Sequence, residues 1–236
     1  AVTPEKELGG YHSQEVKTAA YKKPKTGFFE GIRLIFSEPY LLGIVAVVTL
    51  YEVTATVVEF HAKTMGKMAY PLLHDYQSFA FNLALYTNGV ALLSLLLGVG
   101  AVGRRLGLLK TLLLLPALIA AGVFAIFMHP TLSVAVVMMV VIKGLNYALN
   151  QPAKEQLYIP TSRDSKYKAK AWIDTFGSRA AKSAGSAVHI LRSVLSLGFI
   201  GVSSLICWGL IAVWVIAALY VGKAHTRALK EDKVIC

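Results

Sequence analysis

Charge and cysteine are both scarce in this chain, and each scarcity excludes a class of protein. Only 16% of the 236 residues are charged, whereas 56% are hydrophobic and the mean hydropathy is +0.57. Apolar runs of about twenty residues recur along the chain, which excludes a soluble globular domain and indicates an integral membrane protein. Cys207 lies inside the last apolar run and Cys236 is the final residue, so the two cysteines are poorly placed to form a disulfide.

Acidic residues are the rarer charge, since 13 of them oppose 24 lysines and arginines and leave a net charge of +11. The basic residues stand in short segments between apolar runs rather than along one polar face, so nucleic acid is not expected as a partner. Nothing in the sequence has the spacing of metal ligands, and no nucleophile stands beside a base. We therefore predict no metal, no cofactor and no enzymatic activity.

One stretch matches a nucleotide-binding motif by letters alone. Residues 98–103 read Gly-Val-Gly-Ala-Val-Gly, the G-x-G-x-x-G pattern of dinucleotide-binding folds. That motif works between a β-strand and the N-terminus of a helix, where its glycines approach a pyrophosphate. Here it closes an apolar run, so we reject the match.

The changes in composition divide the chain into three parts. Residues 1–38 form a polar, basic connector without the apolar core of a signal peptide, and end in a short amphipathic stretch that is typical of a helix at the membrane interface. Pro39 is expected to end that helix. Residues 39–222 form the membrane part, and residues 223–236 form a basic cytoplasmic tail.

The membrane part is predicted to be an all-α bundle of six transmembrane helices. The six segments cover about residues 40–60, 79–102, 108–128, 132–149, 171–191 and 194–221. The fifth segment carries Asp174, Arg179 and Lys182 among small residues, so it needs a polar cavity rather than lipid around it. The basic loops fall on one side of the membrane, which places both chain ends in the cytoplasm.

Two spans carry polar residues that are expected to point inward. Glu52 and Glu59 are seven residues apart and so share one face of the first span, where Glu59 serves function or pairs with Lys63 one turn later. Lys143 lies near the cytoplasmic end of the fourth span, where it snorkels to the surface or points inward with Asn146, one turn further on.

The region from 166 to 189 concentrates further cations. Lys166, Lys168 and Lys170 signal membrane topology or contact anionic lipid, so membrane lipid is a predicted partner. Arg179 and Lys182 are three residues apart on one helix face, which favours coordination of phosphate.

Three strings in this order resemble the nucleotide transporter family, the ATP/ADP translocases of obligate intracellular bacteria and of plastids. The strings are Pro-x-Lys-Glu-x-x-Tyr-Ile-Pro at 152–160, Lys-x-Lys-x-Lys-Ala-x-Ile-Asp at 166–174 and Lys-Ser-x-Gly at 182–185. Val58-Glu59 with Lys63 is similar to the family's Val-Glu-Val-Thr-Trp-Lys helix, and residues 23–27 resemble its central loop.

The resemblance implies what the chain does and what it lacks. Family members have twelve spans in a major-facilitator-like arrangement, so this chain corresponds to the second half and a six-span N-terminal half is an expected partner. It implies ATP and ADP as substrates, exchanged by alternating access in a bacterial inner membrane or a plastid envelope. Such halves are built as two three-span repeats, which would give the first and fourth spans corresponding positions beside the cavity.

The predicted substrate-binding residues come from the family strings and from the chain's own charge pattern. The family positions are Glu59, Lys63, Lys143, Lys154, Glu155, Lys168, Lys170, Asp174 and Lys182. Asn146 and Arg179 complete the set. Asn146 stands where plastid members carry lysine, and His61-Ala62 replaces the family's Thr-Trp, two departures that bear on the choice of substrate.

Two other functions fit the sequence. The first is uptake of nucleotides or related phosphorylated compounds driven by protons, with Glu52 or His189 as the titrating group. The second is a membrane scaffold that transports nothing.

Overall fold

The computed structural model of the protein describes residues 30–97, 106–195, 199–231 and 233–235. Over these residues the backbone is almost entirely helical, and the one β-type contact is an isolated bridge between Thr161 and Ile235. The prediction of an all-α membrane protein is therefore confirmed. Residues 23–27 and 98–103, which carry the central-loop resemblance and the rejected glycine motif, lie outside the described residues.

The described helices are numbered here in chain order. They are α1 (Glu30–Ser37), α2 (Pro39–Ala69), α3 (Leu73–Leu96), α4 (Leu108–Met128), α5 (Leu132–Leu145), α6 (Gln151–Leu157), α7 (Arg163–Trp172), α8 (Ser178–Leu195) and α9 (Phe199–Lys230). A π-helical turn at Asn146–Asn150 joins α5 to α6, and a second at Ile173–Gly177 joins α7 to α8.

Local sequence signals account for several of the helix ends. Pro39 begins α2, in the first turn where its missing N–H leaves no helical hydrogen bond unmade, and so separates α2 from α1. Thr131 caps α5, because its hydroxyl accepts a hydrogen bond from the Val134 N–H at 3.4 Å. Gly107 precedes α4 with φ of 82°, a left-handed conformation that favours glycine.

Five helices of the described part are long and apolar enough to cross a membrane. They are Pro39–Ala69, Leu73–Leu96, Leu108–Met128, Leu132–Leu157 and Ser204–Lys230. The segment predicted as a further span at 171–191 is helical, in the second π turn and α8, but it is too polar to count among the five. The charges of Asp174, Arg179 and Lys182 are the reason that this segment is too polar.

The fourth span also differs from its predicted bounds. It continues through the first π turn to Leu157, so Lys154 and Glu155 lie on a helix rather than in the loop that the sequence suggested. Several polar residues follow the predicted end of the fourth segment at 149, a pattern that is typical of a loop. Tertiary contacts described below hold this polar segment in helical form instead.

Helix α2 is the element around which the bundle is arranged, since it packs against α5, α8 and α9. Its apolar face joins α4 and α9 in the core, where Trp214 is buried edge-on against Tyr51 at 5.9 Å between ring centroids. Helix α8 lies close along α2, because a methyl group added at Gly185 would come within 2.8 Å of Thr56 Cβ and 3.0 Å of the Val53 carbonyl oxygen. Small residues thus bring α8 to the polar face of α2.

Candidate functional site

The first ion cluster centres on Glu59, in the middle of α2. Lys63 Nζ lies 2.6 Å from Glu59 Oε1, and Lys143 Nζ lies 2.6 Å from Glu59 Oε2. Each carboxylate oxygen therefore holds one lysine. The Lys63 contact is the one-turn pair that the sequence offered, whereas the Lys143 contact joins α2 to α5 and places Lys143 inward. Two lysines against one carboxylate leave the cluster with one positive charge.

The second cluster centres on Glu52, two turns before Glu59 on α2. Ser178 Oγ donates a long hydrogen bond of 3.4 Å to Glu52 Oε1, and Lys182 Nζ lies 3.8 Å from Glu52 Oε2. The Lys182 side chain is 61% exposed, whereas that of Glu52 is 20% exposed. These contacts join α2 to α8. Sequence reasoning placed Glu52 on the inward face but did not count it among the substrate-binding residues.

The third cluster consists of four charges on α6, on α7 and in the second π turn. Lys154 on α6 pairs with Asp174 in the second π turn. Lys170 on α7 pairs with Glu155 on α6, at 2.6 Å and 2.8 Å to the two carboxylate oxygens. The structure thus brings together four of the predicted site residues, and their charges cancel.

The remaining predicted site residues occupy three separate positions. Asn146 is buried in the first π turn, where its side-chain oxygen accepts a 2.8 Å hydrogen bond from the Asn150 amide. Arg179 is exposed on α8 and has no ion-pair partner among the described residues. Lys168 is partly buried on α7, where its carbonyl oxygen faces Gly31 of α1.

Burial raises the pKa of the Tyr158 hydroxyl, just beyond α6. In the part of the chain that the structure describes, no group of His, Cys, Asp and Glu side chains could hold a metal ion. The side chain of His189, a titrating group of the proton-driven alternative, lies outside the described residues.

Lysines that lie beside carboxylates between apolar helices are suited to binding a polyanion. Ionisable groups are costly in hydrocarbon unless they face protein or water, and a carboxylate keeps a lysine neutralised while no anion is present. A phosphate oxygen can replace that carboxylate with equal charge and similar hydrogen bonds. The fold and these clusters define a multi-pass membrane protein with ion pairs between its helices.

Comparison with known families identifies which such protein this is. Residues 6–225 match the family described as TLC ATP/ADP transporter, so the chain belongs to this family, which confirms the resemblance.

Individual relatives agree with the family. The chain is 29% identical to ADP,ATP carrier protein 1 of Chlamydia pneumoniae, over 90% of this chain and 46% of the relative. It is 30% identical to ADP,ATP carrier protein 1 of Chlamydia trachomatis, over 95% of this chain and 47% of the relative. With the chloroplastic ADP,ATP carrier protein 2 of Arabidopsis thaliana, identity is 27% over 90% of this chain and 38% of the relative.

The chain therefore spans about half the length of the curated relatives that it matches. No solved structure matches it.

Proposed function

We propose that this chain forms half of a transporter that exchanges ATP for ADP across a bacterial inner membrane or a plastid envelope by alternating access. The relatives from Chlamydia and from a chloroplast are named ADP,ATP carriers, which supports nucleotides as the substrates. They are about twice as long as this chain, which supports a second, N-terminal six-span half as its partner. The two halves together carry out the exchange.

The observation that carries this proposal is the pair of lysines on Glu59. A nucleotide phosphate cannot enter a low-dielectric cavity without fixed cations, and Lys63 and Lys143 supply two of them from different helices. When a nucleotide arrives, its phosphate oxygens take the place of Glu59 at these lysines. When it leaves, Glu59 neutralises them again, so Glu59 acts as a gate partner.

Helix α8 supplies the second group of cations. Lys182 is held only loosely by Glu52 and is mostly exposed, so it is available to a phosphate at little expense. Arg179 lies three residues away and can bind two phosphate oxygens at once through its planar guanidinium. Gly185 has no side chain, so α8 lies close against α2 at this position.

The test is uptake of labelled ATP by membranes that contain the full-length protein. Uptake that is stimulated by ADP on the opposite side and is insensitive to an uncoupler is the expected result. Collapse with an uncoupler would favour the proton-driven alternative, with Glu52 or His189 as the titrating group. No uptake at normal protein levels would favour the scaffold.

A further inference from the structure

Lys154, Glu155, Lys170 and Asp174 are arranged as a two-part lock between neighbouring helical segments. On α6 a cation is followed directly by an anion, Lys154 and then Glu155. On the facing segment a cation and an anion stand one turn apart, Lys170 and then Asp174. Each charge meets its opposite across the contact. A shift that brought Lys154 to Lys170 would set like charges together, so the pattern permits one register.

Burial and neighbouring contacts show that this lock is built into the fold. Lys154 is 9% exposed, so an unpaired charge there would be strongly unfavourable. The end of α6 is anchored on two further helices, since Tyr40 Oη donates to the Leu157 carbonyl at 2.7 Å and His225 Nε2 lies 3.1 Å from the Gln156 carbonyl. On the other side, α1 packs on α7, where a methyl group added at Gly31 would come within 2.8 Å of the Lys168 carbonyl oxygen.

The two π turns lie between this lock and the lysines assigned to the nucleotide. Lys143 precedes the turn at Asn146–Asn150, and Lys154 and Glu155 follow it. Lys182 follows the turn at Ile173–Gly177, which itself carries Asp174, and Lys170 precedes it. A π turn widens the helix locally and is a place where helices change direction. The relative direction of α5 and α8 therefore depends on how α6 and α7 are held.

We propose that the Lys154–Asp174 and Glu155–Lys170 pairs are a clamp across two helix hinges, and that these four residues position Lys143 and Lys182 rather than bind the nucleotide. The proposal rests on the transport function proposed above. A phosphate that bound Lys154 or Lys170 would have to break a neutral, satisfied pair, whereas Lys182 offers a loosely held cation. The family strings at 152–160 and 166–174 then encode the two halves of one clamp.

Charge reversal and charge exchange test the clamp. The single variants Lys154→Glu and Asp174→Lys are expected to lower the maximal rate of ATP uptake by about tenfold, because each leaves like charges facing one another and position 154 is buried. The double variant K154E/D174K restores the pair with its polarity reversed and is expected to recover most of the rate. E155K, K170E and their double variant should follow the same order with smaller losses, since that pair is more exposed.

A matched control pair lies at the end of α9, where Arg227 and the following Glu231 form an exposed contact of 3.5 Å. The variant R227E should leave uptake unchanged. If the single reversals at Lys154 do not accumulate in the membrane, the neutral variants E155Q and K170Q at the more exposed pair take their place. Their losses should be non-additive, because the second substitution removes a partner that is already lost.

The KM for ATP separates a clamp from a nucleotide site. A clamp acts through Lys143 and Lys182, so the double exchange restores both the maximal rate and any change in KM, whereas the exchange does not restore a KM that rose through loss of a phosphate ligand. An increased KM in K154E that persists in K154E/D174K would overturn the proposal. So would equal rates for the single and the double variants.

A second measurement needs no transport and so separates failure of the clamp from failure of the proposed function. A single cysteine at Ser183, an exposed position on α8, reports the direction of that helix once Cys207 and Cys236 have been replaced. Its labelling rate by a polar thiol reagent should change several-fold in K154E and return in K154E/D174K. An unchanged labelling rate in K154E would contradict the clamp even in a protein that transports no nucleotide.

Discussion

Glu59 and Glu52 are the same residue type on the same face of α2, yet their surroundings differ sharply. Glu59 has a lysine at 2.6 Å on each oxygen, from two different positions in the bundle. Glu52 has a hydroxyl at 3.4 Å and a lysine at 3.8 Å. Glu59 therefore holds both of its lysines tightly, whereas Glu52 leaves Lys182 available to another anion.

The largest effect is expected where the loosely held cation is removed. Lys182→Ala should reduce ATP uptake strongly, by about a hundredfold, because a charge-assisted contact to phosphate is lost. Lys182→Arg should retain part of the activity, because the charge persists with altered geometry. Uptake kinetics at matched protein levels in the membrane are the measurement. Normal kinetics for Lys182→Ala would show that this lysine serves packing or topology.

Removing the tightly held carboxylate should have the next largest effect. Glu59→Gln leaves Lys63 and Lys143 without their common partner, so uptake should fall by about tenfold, with slower release of nucleotide after it binds. The affinity for ATP should rise at the same time, because phosphate no longer competes with the carboxylate. A nucleotide-binding assay beside the uptake assay separates the two effects; weaker ATP binding would count against a gate role.

The two lysines on Glu59 are not equivalent, and comparing them sharpens the assignment. The Lys143 side chain is 32% exposed and joins two helices, whereas that of Lys63 is 50% exposed and lies one turn from its partner. Lys143→Ala should therefore reduce uptake several-fold more than Lys63→Ala, since exposed pairs one turn apart contribute only about 0.5 kcal/mol. Equal losses in parallel uptake assays would contradict the central position given to Lys143.

If the protein exchanges ATP for ADP, substitution of Glu52 should have the smallest effect on uptake. Glu52→Gln removes a charge that is only loosely paired, so uptake should change by about twofold, and Ser178→Ala by less, given the length of that hydrogen bond. Insensitivity to an uncoupler should persist in both variants. A complete loss of uptake in Glu52→Gln, with uncoupler sensitivity in the unmodified protein, would instead support proton coupling through Glu52.

Local signals predicted much of the fold. The third apolar segment was predicted at 108–128, which is the extent of α4, and the break at Pro39 separates α1 from α2. The contact of Glu59 with Lys63 also followed from helical periodicity, since residues four apart share a face. These features depend on neighbours in the chain, so composition and spacing suffice to find them.

Other features could not be found in this way. The sequence placed Lys154 and Glu155 in the loop after the fourth segment, whereas the structure has them on α6. It also gave no sign that Lys154 pairs with Asp174 and Glu155 with Lys170. The two π turns have no local signature that was recognised. The ion pairs join separate segments, which periodicity along one helix does not relate.

The sequence by itself determined the class of this protein, because long apolar runs and three residue strings suffice to define a helical membrane protein and its family. Only the tertiary structure decided which carboxylate holds which lysine. An ion pair depends on the distance between side chains from separate helices, and helix packing sets that distance after each helix has formed. Glu52 and Glu59 occupy one face by sequence, but Lys143 of α5 lies 2.6 Å from Glu59, whereas Lys182 of α8 lies 3.8 Å from Glu52.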